Sequence, residues 1–319
     1  MLAFVQDRWG GPETLKLTEV PRPVPDGTSV LVKVLATSIN ALDWRMMRGK
    51  PSLIRILPQV GFLRPRRRIR GVDVAGQVVE VRSPSSKFQV GDEVFGLGSG
   101  TFAEYVACDE SELVSKPSAL PYPEAAAIGV AGCTALEGLR DVSGLRPGQH
   151  VLINAVGSGV GMFTVQVAKW MGANVTVIGR TENLDLARSL GADTVLDSSK
   201  GDFTRGPDRF DLVFDISADR SFTSLKRILA PGGKICRVGA RGGLDRVIKG
   251  VLLRRVLGYP IKGYLARPTV ENLRQLGELV VEGRIRPTID RRFSFQEIPA
   301  AMAYAEEHRV RGKIVISVP

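Results

Sequence analysis

Residues 151–163 read Val-Leu-Ile-Asn-Ala-Val-Gly-Ser-Gly-Val-Gly-Met-Phe. The apolar run Val151–Ile153 follows the turn Arg146-Pro147-Gly148 and Gln149-His150, and predicts a buried strand. Gly157, Gly159 and Gly161 make the next stretch a glycine-rich turn. From Val160 onward, Phe163, Thr164, Val167, Ala168 and Met171 recur at helical spacing, and Gly172 marks the helix end. Val175–Ile178 reads as a second strand. Strand, glycine turn, helix and strand within about thirty residues is the βαβ unit that binds dinucleotides. Glycines let the main chain approach a pyrophosphate, and the first turn of a helix offers unpaired N–H groups and partial positive charge.

The turn departs from the G-x-G-x-x-G pattern. With Gly161 as third glycine, the first two positions hold Val156 and Ser158, and Gly157 and Gly159 fall one residue out of register. A bulky Val156 would narrow a cofactor groove, whereas the Ser158 hydroxyl could bond phosphate. A connection that merely needs left-handed backbone stays open as the alternative.

At 319 residues, 44% hydrophobic and 24% charged, the chain is long enough for two globular domains. No apolar run reaches the roughly eighteen residues of a membrane span. Met1-Leu-Ala-Phe-Val-Gln-Asp-Arg8 lacks the basic start and long apolar stretch of a secretory signal. Cys108, Cys133 and Cys236 form no C-x-x-C spacing, so a reducing, cytoplasmic setting is expected. The net charge of +11 is local. Arg64, Arg66, Arg67, Arg68 and Arg70 form an acid-free cluster, and residues 241–267 hold seven Lys/Arg against Asp245 alone. Together they account for the whole excess. No aromatic-rich basic sheet or recognised module accompanies them, which argues against nucleic acid.

Before the turn, alternating segments at Leu2–Val5, Leu15–Val20 and Val30–Leu35 predict strands. The small-residue stretch from Pro123 to Leu139 reads as two close-packed helices. After the turn come a helix over Asn183–Leu190, strands at Thr194–Leu196 and Phe210–Asp215, a helix over Ser221–Leu229 closed by Pro231-Gly-Gly233, and a strand over Lys234–Gly239. That alternation predicts a parallel sheet with helices on its faces. Residues 270–283 predict a further helix.

Asn154-Ala-Val-Gly-Ser-Gly-Val-Gly161 resembles the A-x-x-G-G-V-G turn of zinc-free quinone oxidoreductases in the medium-chain dehydrogenase/reductase superfamily. Ser38-Ile-Asn40-Ala-Leu-Asp43, Gly71–Gly76, Gly91–Gly96, Gly100–Val106 and the tail Phe295–Ser317 carry the resemblance over nearly the whole chain. It implies an α/β protein: a Rossmann doubly wound parallel sheet over 126–267, inserted in a discontinuous, mainly β GroES-like catalytic domain over 1–125 and 268–319. In zinc-dependent relatives the first two of these segments, and a third before Gly132-Cys-Thr-Ala-Leu136, supply metal ligands, but here the positions hold Asn40, Val72 and Val130. Valine and an asparagine amide are not the Cys, His or carboxylate donors that Zn²⁺ takes. The structural-zinc cysteines are missing too, and the histidines are only His150 and His308. No metal site is expected.

The implied reaction is hydride transfer from NADPH to a quinone or α,β-unsaturated carbonyl, whose conjugation spreads charge without a Lewis acid. Asn40 is the candidate donor to the acceptor's oxygen. Asp43 is a candidate with it, although holding the loop through backbone hydrogen bonds suits it better. Tyr105, set in an alternating strand, reads as a core residue rather than a proton donor. Ala155, Gly157, Ser158, Gly159, Val160 and Gly161 form the expected phosphate turn. Arg180 and Thr181 follow the second strand where an NAD-selective chain has an acid, and Ser198 stands where the family has tyrosine. Val238 and Lys313 complete the expected cofactor set. Trp44, Tyr259 and Tyr264 form the expected substrate pocket. A homodimer through the sheet edge near 234–263 is usual for relatives. The stripe Leu244–Leu257, with Arg246, Lys249, Arg254 and Arg255, reads either as a packed helix or as a basic rim making weak contact with an anionic membrane. A non-catalytic binding protein on the same fold is the alternative, motivated by Val156 and Ser158.

Overall fold

The computed structural model describes residues 1–52, 55, 60–238, 260–264, 266, 268–307 and 310–319. The chain divides into two compact units: 1–130 with 268–283 and 289–319, and 131–267 with 284–288.

The first unit is mainly β. Its opening strands, β1 (Leu2–Gln6) and β2 (Leu15–Glu19), form a two-stranded antiparallel sheet. The long strand β3 (Ser29–Ile39) is rich in β-branched residues and almost wholly buried, as a strand covered on both faces must be. It runs into helix α1 (Ala41–Arg48), which ends on Gly49 in the left-handed region at φ 60°. Strands β4 (Asp73–Val81), β5 (Glu93–Leu97), β6 (Tyr105–Asp109) and β7 (Leu113–Ser115) follow. Tyr105 is not in the core: it is half-buried, with the Arg22 guanidinium 3.8 Å from its ring centroid. The alternation there puts Val106 and Cys108, not Tyr105, on the inner face.

Helix α2 (Tyr122–Glu137) carries the chain into the second unit and passes directly into a π-helical turn over Gly138–Ser143. The expected pair of helices is therefore one helix with a widened last turn. The stretch from Tyr122 to Gly144 holds no proline beyond Pro123, so nothing breaks it.

The second unit holds a six-stranded parallel sheet made of β8 (His150–Asn154), β9 (Asn174–Gly179), β10 (Thr194–Asp197), β11 (Phe210–Asp215), β12 (Leu229–Val238) and β13 (Ile261–Tyr264). Their order is β10-β9-β8-β11-β12-β13, so chain direction across the sheet reverses between β8 and β11. Helices α3 (Gly159–Trp170), α4 (Leu184–Ser189) and α5 (Phe222–Lys226) connect them. The helix over 221–229 is shorter than its sequence suggests. Leu229 already pairs with Phe210, and Pro231-Gly-Gly233 lies within β12 where the register shifts.

The chain then returns to the first unit with α6 (Val270–Val281), β14 (Ile289–Ser294), α7 (Ile298–Glu306) and β15 (Lys313–Ser317). β15 pairs antiparallel with β3, Val315 opposite Ser38, and joins β14 to the seven-stranded sheet, whose order is β14-β15-β3-β4-β5-β7 with β6 also on β3. The stripe 244–257, Tyr259 and His308 lie outside the described residues. No helix among the described residues is long and apolar enough to cross a membrane.

Candidate active site

In the first unit, polar side chains converge on a single carboxylate. Asp73 opens β4 at 0% exposure, flanked by valines. A carboxylate there must be fully paired. Its Oδ2 accepts from the Ser38 hydroxyl, from Asn40 Nδ2 at 2.8 Å and from Lys313 Nζ at 3.0 Å. Its Oδ1 accepts from Val130 N at 2.8 Å. Lys313, 2% exposed at the head of β15, also donates to Asn40 Oδ1 at 2.7 Å. The Asn40 amide is thereby oriented by charge: its oxygen faces an ammonium and its nitrogen a carboxylate. One Nδ2–H is used on Asp73, and an amide nitrogen carries two.

Asp43, in the first turn of α1, accepts from Asn40 N at 2.7 Å. Burial pushes its carboxyl up to about 7; the Asn40 N–H opposes this, Asp73 adds to it, and Lys313 and Arg70 oppose it. The contact made by Asp43 is thus with the backbone at the start of its own helix. Burial likewise brings Arg70 down to about 10, with Asp43 opposing and Arg67 adding. Trp44 is half-buried, packed against the β core, with the Arg45 guanidinium 5.2 Å from its ring. Asp73 and Ser38 stand in the sequence only within family segments and are not singled out there. The available signal was an acid set between Val72 and Val74 at the start of a strand, which demands a buried partner.

In the second unit, the expected cofactor residues leave the carboxyl edge of the sheet, beside its reversal point. β8 ends at Asn154, and Ala155 follows with φ 59° in the left-handed region. Val156 is fully buried and faces Gly179, where an added Cβ would come within 3.4 Å of its Cγ1. Its side chain is thus packed between the turn and the end of β9 rather than exposed on the surface. Ser158 Oγ caps α3, accepting from Gly161 N at 3.0 Å and donating to Ala155 O at 2.8 Å. The hydroxyl is spent on the turn. The N–H groups of Gly159 and Val160, which an α-helix does not pair internally, remain for an anion. Gly161 is obligatory, since a Cβ there would meet Ala155 O at 2.2 Å.

β9 ends at Gly179, and exposed Arg180 follows, its Nε 3.2 Å from Glu182 Oε1. Thr181 Oγ1 donates to Asp197 Oδ2 at 2.8 Å, so Arg180 is the charged donor at this edge. Ser198 N is tied to Gly179 O at 2.8 Å. Asn183, 8% exposed, packs its amide against Gly157 and leaves Oδ1 buried without a partner. An orphaned acceptor beside a glycine turn with free N–H groups fits the hydroxyl-rich, anionic face of a dinucleotide. Val238 ends β12, opposite Tyr264 at the end of β13. The Tyr264 hydroxyl donates to Thr134 O, and burial raises its pKa, so that hydroxyl is occupied within its own unit. Asp215 at the end of β11 binds Asn154 Nδ2 at 2.7 Å and Arg237 Nε at 2.7 Å, which ties three strand ends together.

Comparison with known proteins finds two family models. The alcohol dehydrogenase GroES-like domain matches residues 26–118, and the zinc-binding dehydrogenase model matches residues 190–316. Among the described residues no group of three or more His, Cys, Asp or Glu is arranged to hold a metal ion. The chain is 32% identical over 324 residues to the chloroplast envelope quinone oxidoreductase homolog of Arabidopsis thaliana, covering 96% of this chain and 95% of that protein. It is 30% identical over 332 residues to the NADPH-dependent alkenal/one oxidoreductase of the same plant, covering 99% of this chain and 79% of that one. The solved quinone oxidoreductase of Coxiella burnetii superposes with a TM-score of 0.90 at 29% identity, covering 100% and 99% of the two chains.

Proposed function

From a chain that belongs to the medium-chain dehydrogenase/reductase superfamily, in its zinc-free quinone-oxidoreductase-like branch, we infer an NADPH-dependent oxidoreductase that reduces quinones or α,β-unsaturated carbonyls. NADPH, when bound, supplies the hydride. The residues of the second unit that would hold it are the turn Ala155–Gly161 with the α3 N-terminus, Arg180 at the ribose phosphate, and Ser198 and Val238 beyond it, whereas Lys313 is engaged with Asp73 and Asn40 and the Thr181 hydroxyl with Asp197.

The observation that carries the reading is the clamped amide of Asn40. An acceptor that takes hydride builds negative charge on its carbonyl oxygen, and a preorganised donor there lowers the barrier. The second Nδ2–H of Asn40 is that donor. Lys313 withdraws electron density through Asn40 Oδ1, which strengthens the amide N–H as a donor. Asp73 holds both partners, and Asp43 holds the Asn40 backbone, so Asp43 is a positioning residue. Trp44, half-buried beside the β core of the same unit, is the flat apolar surface that would flank the acceptor there.

The purified protein is expected to oxidise NADPH with quinones or enones and to leave saturated ketones untouched. Asn40→Ala should lower kcat by about 100-fold, the usual cost of an oxyanion donor, while NADPH still binds. Failure to oxidise NADPH across quinones, enones and aldehydes would overturn the reading.

A homodimer would form through the terminal strand β13, which is an edge of the sheet among the described residues. Sedimentation velocity tests it. The three cysteines are free and buried, which suits a reducing cytoplasmic compartment. Long-chain quinones reside in lipid, which favours weak peripheral contact with anionic membranes.

A further inference from the structure

Between Trp44 and Val72 the sequence holds nine Lys/Arg and no acid. Within this stretch, residues 60–68 form a loop that is tightly held at its base. Arg66 N donates to Val60 O at 2.9 Å, and Gly61 adopts φ 97°, where an added Cβ would strike Arg64 O at 2.2 Å. Pro65 is buried. Trp9 Nε1 donates to Phe62 O at 3.3 Å, and Gln6 N donates to Arg68 O at 2.8 Å. Arg68 pairs with Asp7.

The tip of this anchored loop carries Phe62 at 68% exposure and Leu63 at 84%. Among the described residues no large apolar side chain is more exposed than these two, and they are adjacent. Exposed Arg64, Arg66, Arg67 and Arg68 flank them. Isolated exposed apolar residues need no explanation, but a rigidly presented pair ringed by cations does.

We propose that the 60–68 loop is a docking wedge for an anionic phospholipid bilayer: Phe62 and Leu63 enter the interface, and Arg64, Arg66 and Arg67 lie against the headgroups. Three observations favour lipid over a protein partner. Two side chains bury a few hundred Å² at most, well short of the roughly 800 Å² per partner of a stable protein interface. A bilayer requires only a shallow apolar insertion together with basic charge. Arginine also keeps its charge at the headgroups while its aliphatic stem covers apolar surface. The loop is held before contact, so docking pays little ordering entropy. The proposal deepens the membrane contact inferred from the acceptor chemistry, yet it rests on the loop alone and its test is independent of turnover.

The test is co-sedimentation of the full chain with vesicles of equal phosphatidylserine and phosphatidylcholine, against pure phosphatidylcholine. Binding is expected to the anionic vesicles at low salt, with release as salt shortens the screening length from about 10 Å at 0.1 M to about 3 Å at 1 M. Phe62→Ala with Leu63→Ala should weaken partition roughly tenfold or more. Arg64→Glu with Arg67→Glu should abolish it. These side chains are exposed, so both variants should melt with the wild type, and thermal unfolding checks that they do. Absence of binding at low salt, or equal binding to both vesicle types, would overturn the proposal. So would a self-associated form, without vesicle binding, that the Phe62/Leu63 double variant dissociates, since the wedge would then serve a second copy of the chain.

Discussion

Removing either half of the Asp73–Lys313 pair should unfold the β unit far more readily than removing both. The two groups are 0% and 2% exposed as side chains, and their charged atoms lie 3.0 Å apart. At an effective dielectric of about 20 their attraction is roughly 5 kcal/mol, largely offset by the cost of taking both out of water. A lone survivor keeps that cost without the attraction, typically about 3–5 kcal/mol. The two halves are not equivalent. After Lys313→Met, the Asp73 carboxylate retains Ser38, Asn40 and Val130 N as donors. After Asp73→Asn, the ammonium retains Asn40 Oδ1 and a neutral amide oxygen in place of the carboxylate, while the new NH₂ meets the Val130 N–H and leaves it without its acceptor. Asp73→Asn is therefore the more damaging change, by an estimated 1–2 kcal/mol. The double variant should lose less than the sum, with a coupling of about 2–3 kcal/mol. Urea unfolding followed by tryptophan fluorescence reads this directly in a Trp170→Phe background, because Trp9 and Trp44 both belong to the β unit. Additive losses, or an Asp73→Asn loss below about 1 kcal/mol, would refute the premise that the two charges are desolvated together.

Other consequences follow from the same geometry. Burial lifts Asp43 from 3.8 to about 7, so the folded chain holds this proton more tightly than the unfolded chain does. The resulting stability is complete below the lower value and is lost as pH rises through the higher. Between those values the wild type should lose up to about 1.4 kcal/mol per pH unit relative to Asp43→Asn, and parallel stability–pH profiles would contradict this. Gly161→Ala drives a methyl against Ala155 O and should weaken NADPH binding by tenfold or more in a fluorescence titration, on the order expected for distorting an anion-binding turn. Arg180→Ala should raise the KM for NADPH about tenfold relative to NADH, the loss of one charge-assisted contact to a phosphate, and an unchanged ratio would remove Arg180 from the phosphate site.

Five of the six strands of the second unit were legible because each carries an apolar run of Val, Ile, Leu or Phe between turn signals, whereas β13, Ile-Lys-Gly-Tyr, has no such run and does not read as a strand. The turn at 155–161 was legible in position but not in detail. Val156 reads as an obstruction in one dimension, whereas the left-handed Ala155 turns it inward against Gly179. Pro123–Leu139 was misread because its many small residues carry no clear period, so one long helix and two short ones produce the same pattern. Asn40 and Lys313 were each picked out, but as members of separate sets, one for the acceptor and one for the cofactor. Their hydrogen bond spans 273 residues of sequence, and no local pattern encodes a partner at that distance.

That long span is also what makes Asn40 useful. An exposed asparagine amide rotates freely and presents oxygen or nitrogen indifferently, so by itself it is a poor oxyanion donor. Fixing it needs a cation on one side and an anion on the other. The anion comes from the start of β4 and the cation from the start of β15, and they meet only because β15 pairs with β3 in the register Ile314 to Ile39 and Val315 to Ser38. A slip of one residue would turn every side chain of β15 to the opposite face and carry Lys313 out of the core. The apolar run Ile314-Val315-Ile316 is buried on both faces and packs in either register, so the polar residue that precedes it makes the distinction: only in this register does the Lys313 ammonium meet Asp73 and Asn40. Pairing of the last strand therefore sets the polarity of the amide that meets the acceptor, and the chemistry of Asn40 depends on a strand register at the far end of the chain.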